Sequence, residues 1–98
     1  FDFILCLNYK ADIIKDYFGS GKKLGVEITY TLEQKRLGTA GALSLIDRST
    51  ITSPIIVTNA DVIAHVDFED LINFHIQSSA SATMCVKRLP YEMPYARV

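Results

Sequence analysis

Strand and helix patterns alternate along the first third of the chain. Apolar residues dominate positions 2–8, which predicts a strand. Four apolar residues then recur at helical spacing: Ile13, Ile14, Tyr17 and Phe18. This spacing predicts a short helix that ends at Gly19, because glycine commonly terminates helices. From Gly25 to Leu32 every second residue is apolar, which predicts a strand with one buried and one more polar face.

The rest of the chain continues this alternation. Residues 40–46 follow a glycine-rich stretch and can form a short helix. Residues 54–59 are a β-branched run, typical of a strand that is covered on both faces in a parallel sheet. Residues 67–75 predict a helix with Asp67 as its cap, and residues 80–89 predict a further strand. The order β-α-β-α-β-α-β predicts an α/β layered domain with a mainly parallel sheet.

Composition and charge narrow the class of protein. Half of the residues are apolar, a fifth are charged and the net charge is −1, so no basic stripe is available for nucleic acid. No apolar run approaches the roughly 20 residues of a membrane helix, and the first residues lack a signal-peptide pattern. Cys6 and Cys85 lie in apolar runs without metal-site or redox spacing. We therefore expect buried free thiols in a cytoplasmic protein that binds neither nucleic acid nor membrane.

Two segments follow predicted strands, where open α/β sheets bind ligands. They are residues 33–41 and residues 59–61. A carboxylate at the end of a buried strand, such as Asp61, needs a partner, and Mg²⁺ that also binds phosphate oxygens is one. Asn59 and Asp61 are equally typical of a plain turn. The glycines of residues 37–43 fit neither a Walker A loop nor GxGxxG, and alone they more often indicate tight helix–sheet packing than a ligand cradle.

Five stretches together resemble the sugar-phosphate nucleotidyltransferases, also called NDP-sugar pyrophosphorylases. They are Asn8-Tyr9, residues 17–21, residues 24–28, Leu37-Gly38-Thr39-Ala40-Gly41-Ala42-Leu43 and Asn59-Ala60-Asp61. The resemblance covers nearly the whole chain. The sequence of residues 37–43 is similar to the branch of the family that makes GDP-activated or other NDP-activated hexoses and heptoses. It implies a Rossmann-like fold of the nucleotide-diphospho-sugar transferase type, here incomplete.

The resemblance also implies a reaction and its substrates. A sugar 1-phosphate would attack the α-phosphorus of an NTP and release pyrophosphate. GTP would be favoured over the other nucleoside triphosphates. Gly38 would let the backbone approach the nucleobase, with Glu33, Leu37 and Thr39 beside it. Asp61 would hold the Mg²⁺ cofactor that bridges the phosphates. Homo-oligomerisation is compatible with this family.

Four further positions matter to the resemblance. Asn59 would shape the turn before the metal carboxylate, while Ala60 stands where the family usually has glycine. Tyr95 would contact the sugar, but Ala96 follows it where the family usually has glycine, and the added methyl group could crowd the sugar.

The two ends of the sequence suggest a piece of a longer domain. Residue 1 already lies in a strand pattern, and residues 95–98 stop as another extended segment begins. By the resemblance, the first strand with its Gly-rich phosphate loop and the C-terminal part of the domain would lie outside residues 1–98. We therefore expect a partial nucleotidyltransferase domain that does not catalyse the transfer alone.

Two rival functions share this pattern. A nucleotide-sugar-dependent glycosyltransferase would place an Asp-x-Asp pair at a strand end, and Asn59 in the first position counts against it. A non-catalytic regulatory relative would keep the fold and lose the chemistry. The loss of glycine at Ala96 favours that reading mildly, while Asp61 and the intact Leu37–Leu43 segment oppose it. His65 and His75 match no zinc pattern.

Overall fold

The chain divides into two compact units, Phe1–Ser53 and Pro54–Val98. The structure is a computed structural model, and it describes residues 2–90. Each unit is described by itself below.

The first unit is a strand–helix–strand arrangement with two parallel strands. Its regular elements are β1 (Asp2–Leu7), α1 (Ala11–Phe18), a 3-10 turn (Lys22–Leu24) and β2 (Glu27–Leu32). The strands pair in register from Asp2 opposite Glu27 to Leu7 opposite Leu32. Both strands and the helix were predicted from the sequence, and the parallel pairing across a helix confirms the α/β class.

The turn between α1 and β2 depends on glycine backbone geometry. Gly21 has φ of +81°, and its carbonyl accepts hydrogen bonds from the N–H groups of Leu24 (2.8 Å) and Val26 (3.3 Å). Gly25 has φ of +72° and ends the 3-10 turn, so β2 begins at Glu27, two residues later than predicted. A Cβ atom on Gly21 would lie 2.7 Å from the Val26 carbonyl oxygen and 2.7 Å from Cγ1 of Ile28. Glycine at position 21 is therefore required by both conformation and space.

The two faces of β1 differ in burial. Leu7 is buried and Leu5 is half-buried, whereas Ile4 and Cys6 on the opposite face are exposed. The sequence-based prediction of buried thiols is wrong for Cys6. Its side chain points to the uncovered face of a two-stranded sheet. The prediction is also wrong for Cys85, which is exposed and lies outside any strand in the described residues. Both thiols are free, as expected.

The helix of the second unit forms as its capping residue predicts. α2 covers Phe68–Ser78, and Oδ1 of Asp67 accepts hydrogen bonds from the N–H groups of Glu69 and Asp70, both at 3.0 Å. It runs three residues beyond the predicted end and stops where Ser79 takes a left-handed conformation with φ of +49°. The longest helix within residues 2–90 thus has 11 residues, too few to cross a bilayer.

Two predicted strands are absent from the structure. Residues 54–59 and 80–89 form no strand, whereas residues 41–45 form a 3-10 helix within the short helix predicted for residues 40–46. A strand exists only when a neighbouring strand satisfies its N–H and C=O groups, and no such neighbour lies beside these two segments among the described residues. The predicted alternation is therefore realised as β1-α1-β2 and the following 3-10 helix and, separately, as α2.

We expect Gly21→Ala to lower the free energy of unfolding much more than Gly25→Ala. Both glycines have positive φ, which costs an alanine about 1 kcal/mol. No atom lies within 4 Å of a Cβ on Gly25, whereas overpacking at Gly21 adds about 1–3 kcal/mol. Urea unfolding followed by circular dichroism measures the difference. Equal losses in the two variants would contradict the role given to the Val26 and Ile28 contacts.

Candidate functional site

The carboxyl ends of β1 and β2 are joined by two hydrogen bonds. The N–H of Glu33 donates to the Leu7 carbonyl at 2.8 Å, which extends the pairing one residue past β2. The side-chain amide of Asn8 donates from Nδ2 to the Glu33 carbonyl, also at 2.8 Å. The first predicted ligand segment therefore starts from a backbone that is held on both sides.

The Glu33 side chain organises the loop that follows β2. Its Oε2 accepts a hydrogen bond from the backbone N–H of Leu37 at 3.3 Å, and both residues are half-buried. This hydrogen bond joins the first residue after the sheet to the residue before Gly38, four positions later. Glu33 was predicted to lie beside a nucleobase, and the structure gives its carboxylate a contact with the loop backbone.

The two glycines of the Leu37–Leu43 segment serve different purposes. A Cβ on Gly41 would overlap with Cβ of Leu37, so Gly41 is needed for packing within the chain. Gly38 has φ of +83°, and no atom lies within 4 Å of the position of a Cβ there. Packing therefore explains Gly41, but against Leu37 of its own segment, whereas helix–sheet packing was the expectation. The open side of Gly38 leaves its backbone accessible to a ligand.

The segment then continues into two consecutive 3-10 turns, Gly41–Leu45 and Arg48–Thr50. Ala42 is buried, which anchors the first of them in the unit. Asp47 caps the second, since its Oδ1 accepts hydrogen bonds from the backbone N–H and the hydroxyl of Ser49 at 2.9 and 2.8 Å. These two bonds hold the pKa of the Asp47 carboxyl below its ordinary value.

Cys6 lies close enough to this strand end to be influenced by its charge. Although the residue is exposed, partial burial of the thiol raises the pKa of Cys6, and the negative charge of Glu33 raises it further. The thiol is therefore mostly protonated at neutral pH, which makes it a poor nucleophile.

The second predicted ligand segment lies in the other unit and forms a turn. The Asn59 carbonyl accepts hydrogen bonds from the Val62 N–H at 3.5 Å and from the Thr58 hydroxyl at 3.2 Å. Asp61 sits within this turn and is exposed. The Asn59 carbonyl is therefore part of the hydrogen bonding of this turn.

The predicted site residues fall into three groups. One loop segment of the first unit, residues 33–39, contains Glu33, Leu37, Gly38 and Thr39. The second unit contains Asn59 and Asp61. Tyr95 and Ala96 lie outside the described residues. No cluster of three metal-ligating side chains occurs within residues 2–90.

Asn8 contributes a hydrogen bond to the start of the candidate site loop, and the list of predicted site residues did not include it. The sequence pointed to it only as part of a family motif, although a polar residue directly after an apolar strand is itself a signal for the sheet end.

Comparison with known families decides the relationship of the chain. A family model described as nucleotidyl transferase matches residues 2–96. The chain belongs to the nucleotidyl transferase family. The predicted resemblance is thereby confirmed.

Three curated relatives illustrate the similarity within the nucleotidyl transferase family. Mannose-1-phosphate guanyltransferase of Pichia angusta is 34% identical over 96% of this chain and 27% of its own length. D-glycero-alpha-D-manno-heptose 1-phosphate guanylyltransferase of Aneurinibacillus thermoaerophilus is 34% identical over 86% of this chain and 36% of its own. Mannose-1-phosphate guanylyltransferase catalytic subunit beta of Dictyostelium discoideum is 34% identical over 97% of this chain and 27% of its own. The chain thus spans about a quarter to a third of the length of these relatives. No solved structure matches it.

We expect Glu33→Gln to increase the alkylation rate of Cys6 by iodoacetamide at pH 7.5. Removing the carboxylate charge lowers the pKa of the Cys6 thiol and raises its thiolate fraction. An exposed charge contributes modestly, so the increase is roughly two- to fivefold. Mass spectrometry of the modified peptides measures the rate, with Cys85 in the same sample as the reference. An unchanged rate at Cys6 would contradict the electrostatic contact between the two side chains.

Proposed function

We propose that the polypeptide containing this chain transfers a nucleotidyl group from an NTP to a sugar 1-phosphate and releases pyrophosphate, with GTP as the favoured nucleotide. The observation that carries the proposal is the open backbone of Gly38, which follows the carboxyl ends of two parallel strands in a loop held by Glu33. Membership of the nucleotidyl transferase family supports it. The names of the relatives, which are guanylyltransferases for mannose 1-phosphate and a heptose 1-phosphate, support the sugar and the base.

The reaction requires alignment more than proton transfer. A phosphate oxygen of the sugar 1-phosphate attacks the α-phosphorus, the bond to the bridging oxygen breaks, and pyrophosphate leaves with the electron pair. The attacking oxygen is already an anion, so no general base is needed. The protein must hold two negatively charged substrates in line and stabilise the charge that they share.

In this proposal the Gly38 loop binds the nucleobase. Gly38 has a positive φ and open space beside it, so without a Cβ its backbone can approach a planar base closely. Leu37 would contribute an apolar contact, and the exposed Thr39 a hydroxyl group. Glu33 would act through the loop that it holds.

Asp61 is proposed to bind the magnesium ion. Its chemistry fits, because Mg²⁺ usually takes one or two carboxylates and completes its shell with water and substrate phosphates. An exposed carboxylate in a turn is free to reach such an ion, and Asn59 fixes that turn through its carbonyl. Magnesium at Asp61 would neutralise charge on the phosphates.

We further propose that residues 1–98 are part of one nucleotidyltransferase domain that is completed elsewhere in the polypeptide. Segments 54–59 and 80–89 support this, since both have strand-forming sequences but no neighbouring strand to pair with within residues 2–90. A first strand with its Gly-rich phosphate loop would supply one neighbour. Tyr95 and Ala96 would contact the sugar. The two free thiols support a reducing compartment such as the cytoplasm.

We expect the full-length polypeptide to release pyrophosphate only when an NTP, a sugar 1-phosphate and Mg²⁺ are all present. A panel of four NTPs and several hexose and heptose 1-phosphates should give the highest rate with GTP. Asp61→Ala should lower kcat/KM at least about a hundredfold, because metal stabilisation of phosphate charge is worth several kcal/mol. Asp70→Ala, which removes an equally exposed carboxylate from the same unit, is the control and should retain activity.

Other outcomes of that assay point to the rival functions. Release of a nucleoside diphosphate from a nucleotide sugar, with no pyrophosphate from any NTP, would indicate a glycosyltransferase. A folded polypeptide without either activity would indicate a regulatory relative. The 98-residue chain alone is expected to be inactive, and turnover by it would contradict the proposed partial domain.

Gly38→Ala is expected to raise the KM for GTP about tenfold or more in the full-length polypeptide. The added methyl group occupies the open side of the loop, and positive φ costs alanine about 1 kcal/mol. Gly25→Ala carries the same conformational cost at an equally open position outside the proposed site, so its KM should stay unchanged. Steady-state kinetics with GTP varied measures both. Equal KM values in the two variants would remove Gly38 from the nucleotide site.

A further inference from the structure

Asn8 has an unusual position for a residue with no role in the proposed reaction. It is the first residue after β1, its side chain is exposed, and its amide reaches across to a carbonyl 25 residues away in sequence. The bond from Nδ2 to the Glu33 oxygen is 2.8 Å long, a good length for an N–H···O bond. The side chain therefore links the end of one strand to the start of the loop after the other.

Three hydrogen bonds meet at Glu33. Its N–H donates to the Leu7 carbonyl, its own carbonyl accepts from Asn8, and its carboxylate accepts from the Leu37 N–H. The first two fix the peptide groups on either side of the Glu33 Cα atom. The side chain consequently leaves the backbone in a defined direction, and the third bond transmits that direction to Leu37.

Leu37 directly precedes Gly38, so its amide sets where the open glycine lies. We propose that Asn8 is a positioning residue for nucleotide binding, acting through Glu33 and the Leu37 amide on the Gly38 loop. The inference rests on the proposed function for its ligand, a purine nucleoside triphosphate. It assigns Glu33 to the support of the loop and leaves the nucleobase to Gly38 and its neighbours.

Asparagine suits this task because its side chain is short and carries a neutral donor. An aspartate at this position would present oxygen to the Glu33 carbonyl, and an alanine would leave the carbonyl without its side-chain partner. Loss of one neutral hydrogen bond typically changes an equilibrium constant by about three- to tenfold. Because the bond preorganises a binding loop, the change should appear in nucleotide affinity.

The test compares Asn8→Ala with Thr29→Val in the full-length polypeptide. Thr29 makes the same type of link between the two strands, from its hydroxyl to the Phe3 carbonyl at 3.4 Å, but in the amino-terminal half of the strand pair. Asn8→Ala should raise the KM for GTP about three- to tenfold and leave kcat within about twofold, since uniform binding is lost. Thr29→Val should change neither constant. Equal KM values in the two variants would overturn the inference.

Variants of Glu33 separate support of the loop from direct contact with the nucleotide. Glu33→Gln keeps an oxygen that can accept from Leu37 and should retain most of the affinity for GTP, whereas Glu33→Ala should raise KM as Asn8→Ala does. The double variant Asn8→Ala/Glu33→Ala should be no worse than Glu33→Ala alone, because both residues act along one path. A loss in Glu33→Gln as large as in Glu33→Ala, or fully additive losses, would overturn the proposed path.

Hydrogen exchange of the Leu37 amide provides a readout that is independent of activity. Exchange should be faster in Asn8→Ala and Glu33→Ala than in wild type, and unchanged in Thr29→Val. Unchanged exchange in Asn8→Ala would overturn the positioning itself. If wild-type protein neither binds GTP nor releases pyrophosphate, the proposed function fails and takes the nucleotide part of the inference with it, whatever the exchange rates are.

Discussion

The hydrogen bond from the Glu33 N–H to the Leu7 carbonyl is the contact on which the first unit of this chain depends. It extends the parallel register of β1 and β2 by one residue and brings both strand ends to the same level. The candidate ligand-binding loop of this unit starts from these strand ends. The Asn8 amide, the Glu33 carboxylate and the Gly38 loop all follow directly from the ends of β1 and β2. Parallel strands place their carboxyl ends side by side, which is why ligands of α/β sheets gather there.

The glycine-rich segment illustrates how one motif can satisfy two needs. Gly41 allows Leu37 to pack closely on the turn that follows, while Gly38 supplies a conformation that other residues rarely adopt. The packing glycine fixes the end of the loop and the Glu33 carboxylate fixes its beginning. Between them Gly38 keeps an open side. A loop that is held at both ends can bind a ligand without losing much conformational entropy.

The second unit shows the limits of local structure. α2 forms because its cap and its amphipathic spacing are contained in its own sequence. Residues 54–59 and 80–89 have equally clear strand sequences, yet they remain irregular among the described residues. Helices satisfy their backbone within the segment, whereas strands depend on a neighbour that can come from a distant part of the polypeptide. The chain covers only 27% and 36% of the length of two matched relatives in its family, which is consistent with that dependence.

The sequence by itself determined the family and four regular elements, of which only the two helices have local hydrogen bonds. β1, α1, β2 and α2 could all be predicted from periodicity and capping, and the Leu37–Leu43 and Asn59–Asp61 motifs pointed to a nucleotidyl transferase. Only the tertiary structure decided that Cys6 is exposed, that Glu33 holds the Leu37 amide, and that Asn8 joins the two strand ends. These facts depend on which residues the parallel register brings together across some 25 positions, and no local pattern encodes that distance.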